Sequence, residues 1–176
     1  GFGACAGFVV GTWAGMTFAP RFSPDGQKVI MSLQAEGNAS IWTLDLRTGA
    51  QQQLTNAAAI DTSPSYSPDG SRIVFTSDRN GGIDSEIFLM NADGTNQTNL
   101  SDNPHYDLDP AFSPDGATIA FRSDRDGFGA EIYVMNVDGT GVTNLTNSPS
   151  EEIHPSWSPD GSRIVFDSYR DGNREI

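Results

Sequence analysis

The 176-residue chain has one cysteine, Cys5, so no internal disulfide can form and cysteine usage does not fix the compartment. Histidine occurs only twice, at His105 and His154. Zinc requires more nitrogen or sulfur ligands than these two and Cys5 supply. Basic residues are scarce: 10 Lys and Arg stand against 23 Asp and Glu, for a net charge of −13. That balance suits a basic partner or a cation and argues against nucleic acid or an anionic membrane. No apolar run approaches the about 18 residues of a membrane-spanning helix. There is no Gly-x-Ser-x-Gly elbow, no Walker sequence and no Gly-x-Gly-x-x-Gly opening a helix. Asp124, Asp126 and Glu131 miss the spacing of a calcium loop, with Gly127 too early. Acids are plentiful enough for glycoside chemistry, but nothing singles out a catalytic pair.

What is present is a repeated phrase. TFAPRFSPDG, DTSPSYSPDG, DLDPAFSPDG and EIHPSWSPDG each end in Ser-Pro-Asp-Gly, with the serines at Ser23, Ser67, Ser113 and Ser158. The spacings are 44, 46 and 45 residues, a period typical of stacked repeats. In the second repeat Pro64–Ser67 reads as a short extended strand and Pro68-Asp69-Gly70 as a turn. Arg72–Ser77 and Glu86–Asn91 read as strands, with a polar loop between them and a tight turn at Ala92–Thr95. Gln97–Ser101 closes the repeat as a polar edge strand. Ile73, Val74 and Phe75, then Ile87, Phe88, Leu89 and Met90, are apolar at consecutive positions, as in a sheet covered on both faces.

Four-stranded antiparallel meanders sandwiched between copies of themselves are blades of an all-β propeller. A sandwich of hairpins is the alternative that the regular period disfavours. The expected blades span about 17–60, 61–106, 107–151 and 152–176, the last reaching only the first pair of its third strand, Glu175-Ile176. Three and a half blades fall short of the about 4 to 8 that close a ring. The expected reading is part of a longer, six-bladed propeller. The alternatives are closure by the non-repeat segment 1–16, with Phe8–Val10 and Trp13 as a strand, or by a second copy of the chain. That segment lacks the basic n-region of a secretion signal, and Phe2 interrupts a lipoprotein-like Gly3-Ala4-Cys5.

Acids recur where each first strand begins: Asp61, Asp107 with Asp109, and Glu151 with Glu152. The first strand of a blade is innermost, so these positions, with His154, are candidates for a partner-binding mouth of the central channel. A carboxylate ring there holds a cation such as calcium or receives a basic peptide. The competing reading, in which each Asp caps local backbone before the proline, is the stronger of the two. Ser77-Asp78-Arg79, Ser123-Asp124-Arg125 and Ser168-Tyr169-Arg170 recur as well, and their arginines are expected to be structural. His105 and His154, at non-equivalent positions, read as surface-loop residues.

The repeat pattern x-Pro-x-aromatic-Ser-Pro-Asp-Gly, then Ile-Val-Phe-x-Ser-Asp-Arg, then Glu-Ile-aromatic-x-Met-Asn, then Asp-Gly-Thr resembles the PD40, or TolB-like, β-propeller family. The resemblance covers residues 17–176; Ala19–Ser32 and Ala59–Arg79 are nearest the family's type. It implies a periplasmic or secreted, non-enzymatic protein that binds other proteins without a cofactor. The implied partners are a peptidoglycan-associated lipoprotein and a TolA-like protein, in the Tol–Pal system that maintains the outer membrane and supports import. It also implies six blades behind an N-terminal α/β domain, so the repeats here match part of such a propeller. Two rivals remain: a propeller accessory to a prolyl-peptidase-type hydrolase, where the generic repeat also occurs, and a polysaccharide-active propeller using the channel-mouth acids.

Overall fold

The computed structural model of the chain describes residues 15–34, 37–56, 58–81, 84–127 and 129–176. The expectations for Cys5, for a strand at Phe8–Val10 and Trp13, and for closure by the N-terminal segment concern residues outside these. Every strand pairing in the described residues is antiparallel. Blade 1 comprises β1 (Met16–Phe22), β2 (Lys28–Gln34), β3 (Ser40–Asp45) and β4 (Gln51–Gln53). Blade 2 comprises β5 (Asp61–Tyr66), β6 (Arg72–Ser77), β7 (Glu86–Asn91) and β8 (Thr98–Asn99). Blade 3 repeats it with β9 (Asp107–Phe112), β10 (Thr118–Ser123), β11 (Glu131–Asn136) and β12 (Thr143–Asn144). The fourth sheet has two strands, β13 (Glu152–Trp157) and β14 (Ile164–Ser168). The structure is thus all-β: three complete propeller blades and half of a fourth.

The Ser-Pro-Asp-Gly phrase closes each first hairpin by a repeated set of bonds. Ser67 Oγ donates to Asp69 Oδ1 at 2.6 Å and accepts from the Arg72 amide at 2.9 Å. The Gly70 amide donates to the Ser67 carbonyl at 2.9 Å, and Gly70 adopts φ 72°. Gly supplies the positive φ without a Cβ clash. The turns also stack on one another: a Cβ at Gly116 would lie 3.4 Å from Pro68 Cδ, and one at Gly161 3.6 Å from Pro114 Cδ. A motif legible as a local turn is therefore also part of the contact between blades.

The core lies between blades. Ile30, Ile41 and Leu54 of blade 1 pack on Ile73, Phe75, Phe88 and Met90 of blade 2. Val74 and Ile87 of blade 2 pack in turn on Phe112, Ile119, Phe121, Tyr133 and Met135 of blade 3. Ile73, Val74 and Phe75 are all fully buried. Leu89, expected inside with its neighbours, is only half-buried. It packs with Leu100 and Val137 at the margin of the cluster between blades 2 and 3. The outer strands β8 and β12 are two residues long, shorter than the run Gln97–Ser101 suggests. A short, polar edge strand protects against pairing with another chain.

The turn bonds make a pH prediction. Hydrogen bonds from Ser67 and Ser158, then from the Ser71 and Ser162 amides, hold the Asp69 and Asp160 carboxyls down to about 2. A depressed carboxyl stabilises the fold above its ordinary range and loses that contribution as pH falls through its folded value. The urea midpoint is expected to stay flat above pH about 5 and to fall between about 4 and about 2. Asp69→Asn with Asp160→Asn should make that fall shallower; an unchanged slope contradicts the assignment.

Candidate functional site

The inner strands β1, β5, β9 and β13 lie against one another in succession and line a cleft of about 350 Å³. Each carries a bulge. The register slips between Phe18 and Arg21, Thr62 and Ser65, Leu108 and Ala111, and Ile153 and Ser156. Within each slip one residue before proline takes a positive φ: Ala19 at 52°, Ser63 at 51°, Asp109 at 55° and His154 at 55°. An L-residue there costs of order 1–3 kcal/mol, and such strain concentrates where side chains are aimed for use. The bulge turns these four residues out of the ladder and into the cleft.

The expected carboxylates divide into two groups. Asp61, Asp107 and Glu152, which head their strands, have no accessible surface. Instead of forming a ring at the mouth, they are clamped by arginines 18 residues later: Arg79 to Asp61 at 2.8 Å, Arg125 to Asp107 at 2.8 Å and Arg170 to Glu152 at 3.3 Å. The physical reason is the hairpin, which brings the Ser-Asp-Arg loop back over the start of the inner strand. Ser77 Oγ accepts from Arg79 Nε at 2.8 Å, and Asp78 Oδ1 accepts from the Ile60 amide at 2.7 Å. The Arg79 guanidinium also covers Phe75 and Phe88, at 5.1 and 4.8 Å from the ring centroids. Arg125 does the same with Phe121 and Tyr133. The recurring arginine thus ties acid, loop and core together.

Asp109 and His154 belong to the second group and face the cleft. Asp109 accepts from Ser63 Oγ of blade 2 at 3.0 Å and pairs with Arg122 Nε at 2.8 Å. Arg122 lies 4.0 Å from Glu151, immediately before β13. His154 lies within β13, where a loop residue was expected, because the bulge lets a strand position project. Its Nε2 is 3.9 Å from Asp109, and its Nδ1 is 2.8 Å from both Asp167 and the Arg174 guanidinium. The Asp167 carboxyl is held low, first by His154 and then by Arg174. A polar chain therefore crosses three blades, from Ser63 through Asp109 and His154 to Asp167. His105 stands apart in the loop before β9, 3.7 Å from Asp124.

The sequence reading missed a second set of acids. Glu86 accepts the Asn103 amide at 3.0 Å and the Ser101 hydroxyl, and Asn103 donates to Asp107. Burial pushes the Glu86 carboxyl up. Glu131 holds Thr146 and the Ser148 amide in the same way. The recurrence of Glu-Ile at the heads of β7 and β11 was the available signal. These glutamates fix the connection to the next inner strand and so help to place the bulge residues.

The two kinds of acid respond differently to loss of their arginine. Arg125→Ala, which strands a buried carboxylate, is expected to cost about 3–5 kcal/mol in urea unfolding. Arg122→Ala leaves Asp109 bonded to Ser63 and should cost about 1 kcal/mol. Equal losses contradict the division into scaffold and site.

The description of PD40, a TolB beta propeller domain, matches residues 5–84. A Tol-Pal system protein TolB from Gluconobacter oxydans is 43% identical over 49 residues, 28% of this chain and 11% of that protein. The crystal structure of TolB from Acinetobacter baumannii superposes with a TM-score of 0.81 at 27% identity, over 90% of this chain and 39% of that one. A protein assigned as TolB from Agrobacterium tumefaciens gives 0.79 at 29% identity, over 89% and 57%. The chain thus spans well under two thirds of each of these relatives. A puromycin hydrolase at 16% identity, TM-score 0.68, shares the fold alone. The repeats, the blade topology and these likenesses agree: residues 5–84 match the PD40 TolB beta propeller family, and the chain as a whole is similar to the propellers of TolB proteins.

Proposed function

We propose that this propeller is a non-enzymatic binding scaffold that receives a protein partner at the cleft lined by its inner strands. The observation that carries the reading is variation on a constant frame. The turn recurs in every blade and the arginine clamp in blades 2, 3 and 4, but the bulge position changes from Ala19 to Ser63 to Asp109 to His154. Its cross-strand neighbour changes with it: Arg122 beside Asp109, Asp167 beside His154. Positions that differ between copies of one scaffold are where a repeat protein acquires specificity. The bulge position runs from small and apolar in blade 1 through a hydroxyl in blade 2 to a carboxylate in blade 3 and an imidazole in blade 4, which suits a partner with its own polar end.

The likeness to TolB supplies the context: a periplasmic place in the Tol–Pal system, with a peptidoglycan-associated lipoprotein or a TolA-like protein as partner. No described helix is long and apolar enough to cross a membrane. The non-enzymatic reading is supported by the hydrogen bonds at the cleft. Ser63 donates to a carboxylate, whereas a serine nucleophile needs a histidine to take its proton. His154 is engaged by Asp167 and Arg174.

The test is calorimetric titration with the soluble part of a peptidoglycan-associated lipoprotein. Asp109→Lys is the informative variant, because Asp61, Asp107 and Glu152 are buried and their reversal would act through folding. The unsubstituted chain is expected to bind, and Asp109→Lys to weaken binding at least about tenfold while the circular dichroism spectrum is unchanged. Absence of binding, or equal affinity of the variant, overturns the proposal.

A further inference from the structure

Asn80 is the one asparagine in the chain that glycine follows. It is exposed, in the loop between β6 and β7 that also carries Arg79. A following glycine leaves its backbone nitrogen open to the asparagine side chain, because no Cβ shields it. The space beside Gly81 is open. Its amide is also weakly held, 3.4 Å from the Asp78 carbonyl, whereas the equivalent Gly127 and Gly172 amides lie 2.9 and 3.1 Å from Asp124 and Tyr169. Other asparagine side chains are engaged. Asn91 and Asn136 donate to Thr95 and Thr140 at 2.9 and 3.0 Å, and Asn99 and Asn144 accept main-chain amides through Oδ1.

Blade 3 holds an acid at the same position. In Ser77-Asp78-Arg79-Asn80 and Ser123-Asp124-Arg125-Asp126, Asn80 stands where Asp126 does. Asp126 Oδ2 accepts from Asn144 Nδ2 at 2.9 Å and from the Tyr133 hydroxyl. Asn144 Oδ1 meanwhile accepts the Thr146 and Asn147 amides, both at 3.0 Å. Asn99 repeats that role in blade 2, accepting the Ser101 and Asp102 amides at 3.1 and 3.2 Å. Its Nδ2, however, is buried without a hydrogen-bond partner. A buried donor left unpaired costs free energy. Blade 2 thus presents the donor of this contact but has an amide in place of the carboxylate. An amide offers a donor as readily as an acceptor, whereas a carboxylate accepts on both oxygens.

We infer that Asn80 is a site of spontaneous deamidation, and that the aspartate so formed becomes the acceptor for Asn99 that Asp126 is for Asn144. The Gly81 nitrogen attacks Cγ of Asn80 and gives up its proton. The new C–N bond closes a cyclic imide, and the Asn80 amide nitrogen leaves as ammonia. Water then opens the imide. Addition at Cγ breaks the new bond and leaves aspartate in an unaltered main chain. Addition at the backbone carbonyl leaves a β-linked aspartate, which lengthens the main chain beside Arg79. Water is the only co-reactant and no electron changes hands. The α-linked product carries a carboxylate next to Arg79, as Asp126 stands next to Arg125. The change falls on blade 2 alone and makes its loop resemble that of blade 3.

The test is incubation of the whole chain in mildly alkaline buffer made with heavy-oxygen water, followed by peptide mapping in a mass spectrometer. Asn80 is expected to convert at least about tenfold faster than any other asparagine, with incorporation of the heavy oxygen. If Asn80 persists in the folded chain but converts in guanidinium chloride, the fold withholds the site and the inference is overturned. Equal conversion at the exposed Asn147 overturns it too. The docking is read from Asn80→Asp, which carries the product without the reaction. Its urea midpoint should rise, and Asn99→Ala should remove the gain. Whatever the stability of that second variant, the Asn99 side-chain amide resonances should shift in Asn80→Asp. An unchanged or lower midpoint, a gain that survives without Asn99, or unmoved Asn99 resonances overturn the docking.

Discussion

A carboxylate without accessible surface, paired to an arginine from the loop after the second strand, heads each of the inner strands β5, β9 and β13. Burying such a pair is costly unless its geometry is good and its remaining groups are engaged. The structure meets that demand on the arginine side, with the serine that orients the guanidinium and the aromatic rings beneath it, whereas Asp61 Oδ2 and Asp107 Oδ1 are buried without a hydrogen-bond partner. The consequence is positional. In blades 2, 3 and 4 the clamp fixes where the inner strand starts, and the bulge that projects Ser63, Asp109 and His154 into the cleft follows two residues later. Blade 1 has Thr17 where the others have the acid, and its bulge residue is Ala19, the least functionalised of the four.

Around this pair the molecule separates what is repeated from what is varied. The repeated parts are the turn with its Ser–Asp bond, the stacking of each proline on the next glycine, and the apolar faces that meet between blades. A Cβ at Gly94 or Gly139 would lie 2.7 Å from the carbonyl oxygen of Leu54 or Leu100 in the preceding blade. The second tight turn is therefore also a close approach between neighbours. The varied parts are the bulge residues and their cross-strand partners. The contacts between blades thus repeat, while the residues that line the inner wall vary.

Much of this was legible in the sequence because it is local and repeated. The period, the strands Arg72–Ser77 and Glu86–Asn91, the turns and the structural role of the arginines all follow from propensity and recurrence. The site was less legible. Asp61 and Asp109 are both acids near the start of an inner strand, yet one is buried and the other faces the cleft. The difference is set by a bulge, which flips the side to which a residue points. Ala, Ser, Asp and His before proline give little notice of a positive φ, because none is glycine and no shared side chain marks the position. The pairing of Asp61 with Arg79 crosses a hairpin, so neither residue type reveals it alone. Glu86 and Glu131 were hidden for a similar reason: their partners lie in the loop beyond the fourth strand.

The measurement that bears most directly on this account is a double-mutant cycle on Asp107 and Arg125, read from urea unfolding of the four chains. If the buried pair is the constraint on which the inner strand depends, the two substitutions are strongly non-additive, with a coupling of at least about 1.5 kcal/mol. Additivity within about 0.5 kcal/mol would contradict it. The placement of the cleft residues would then need another cause.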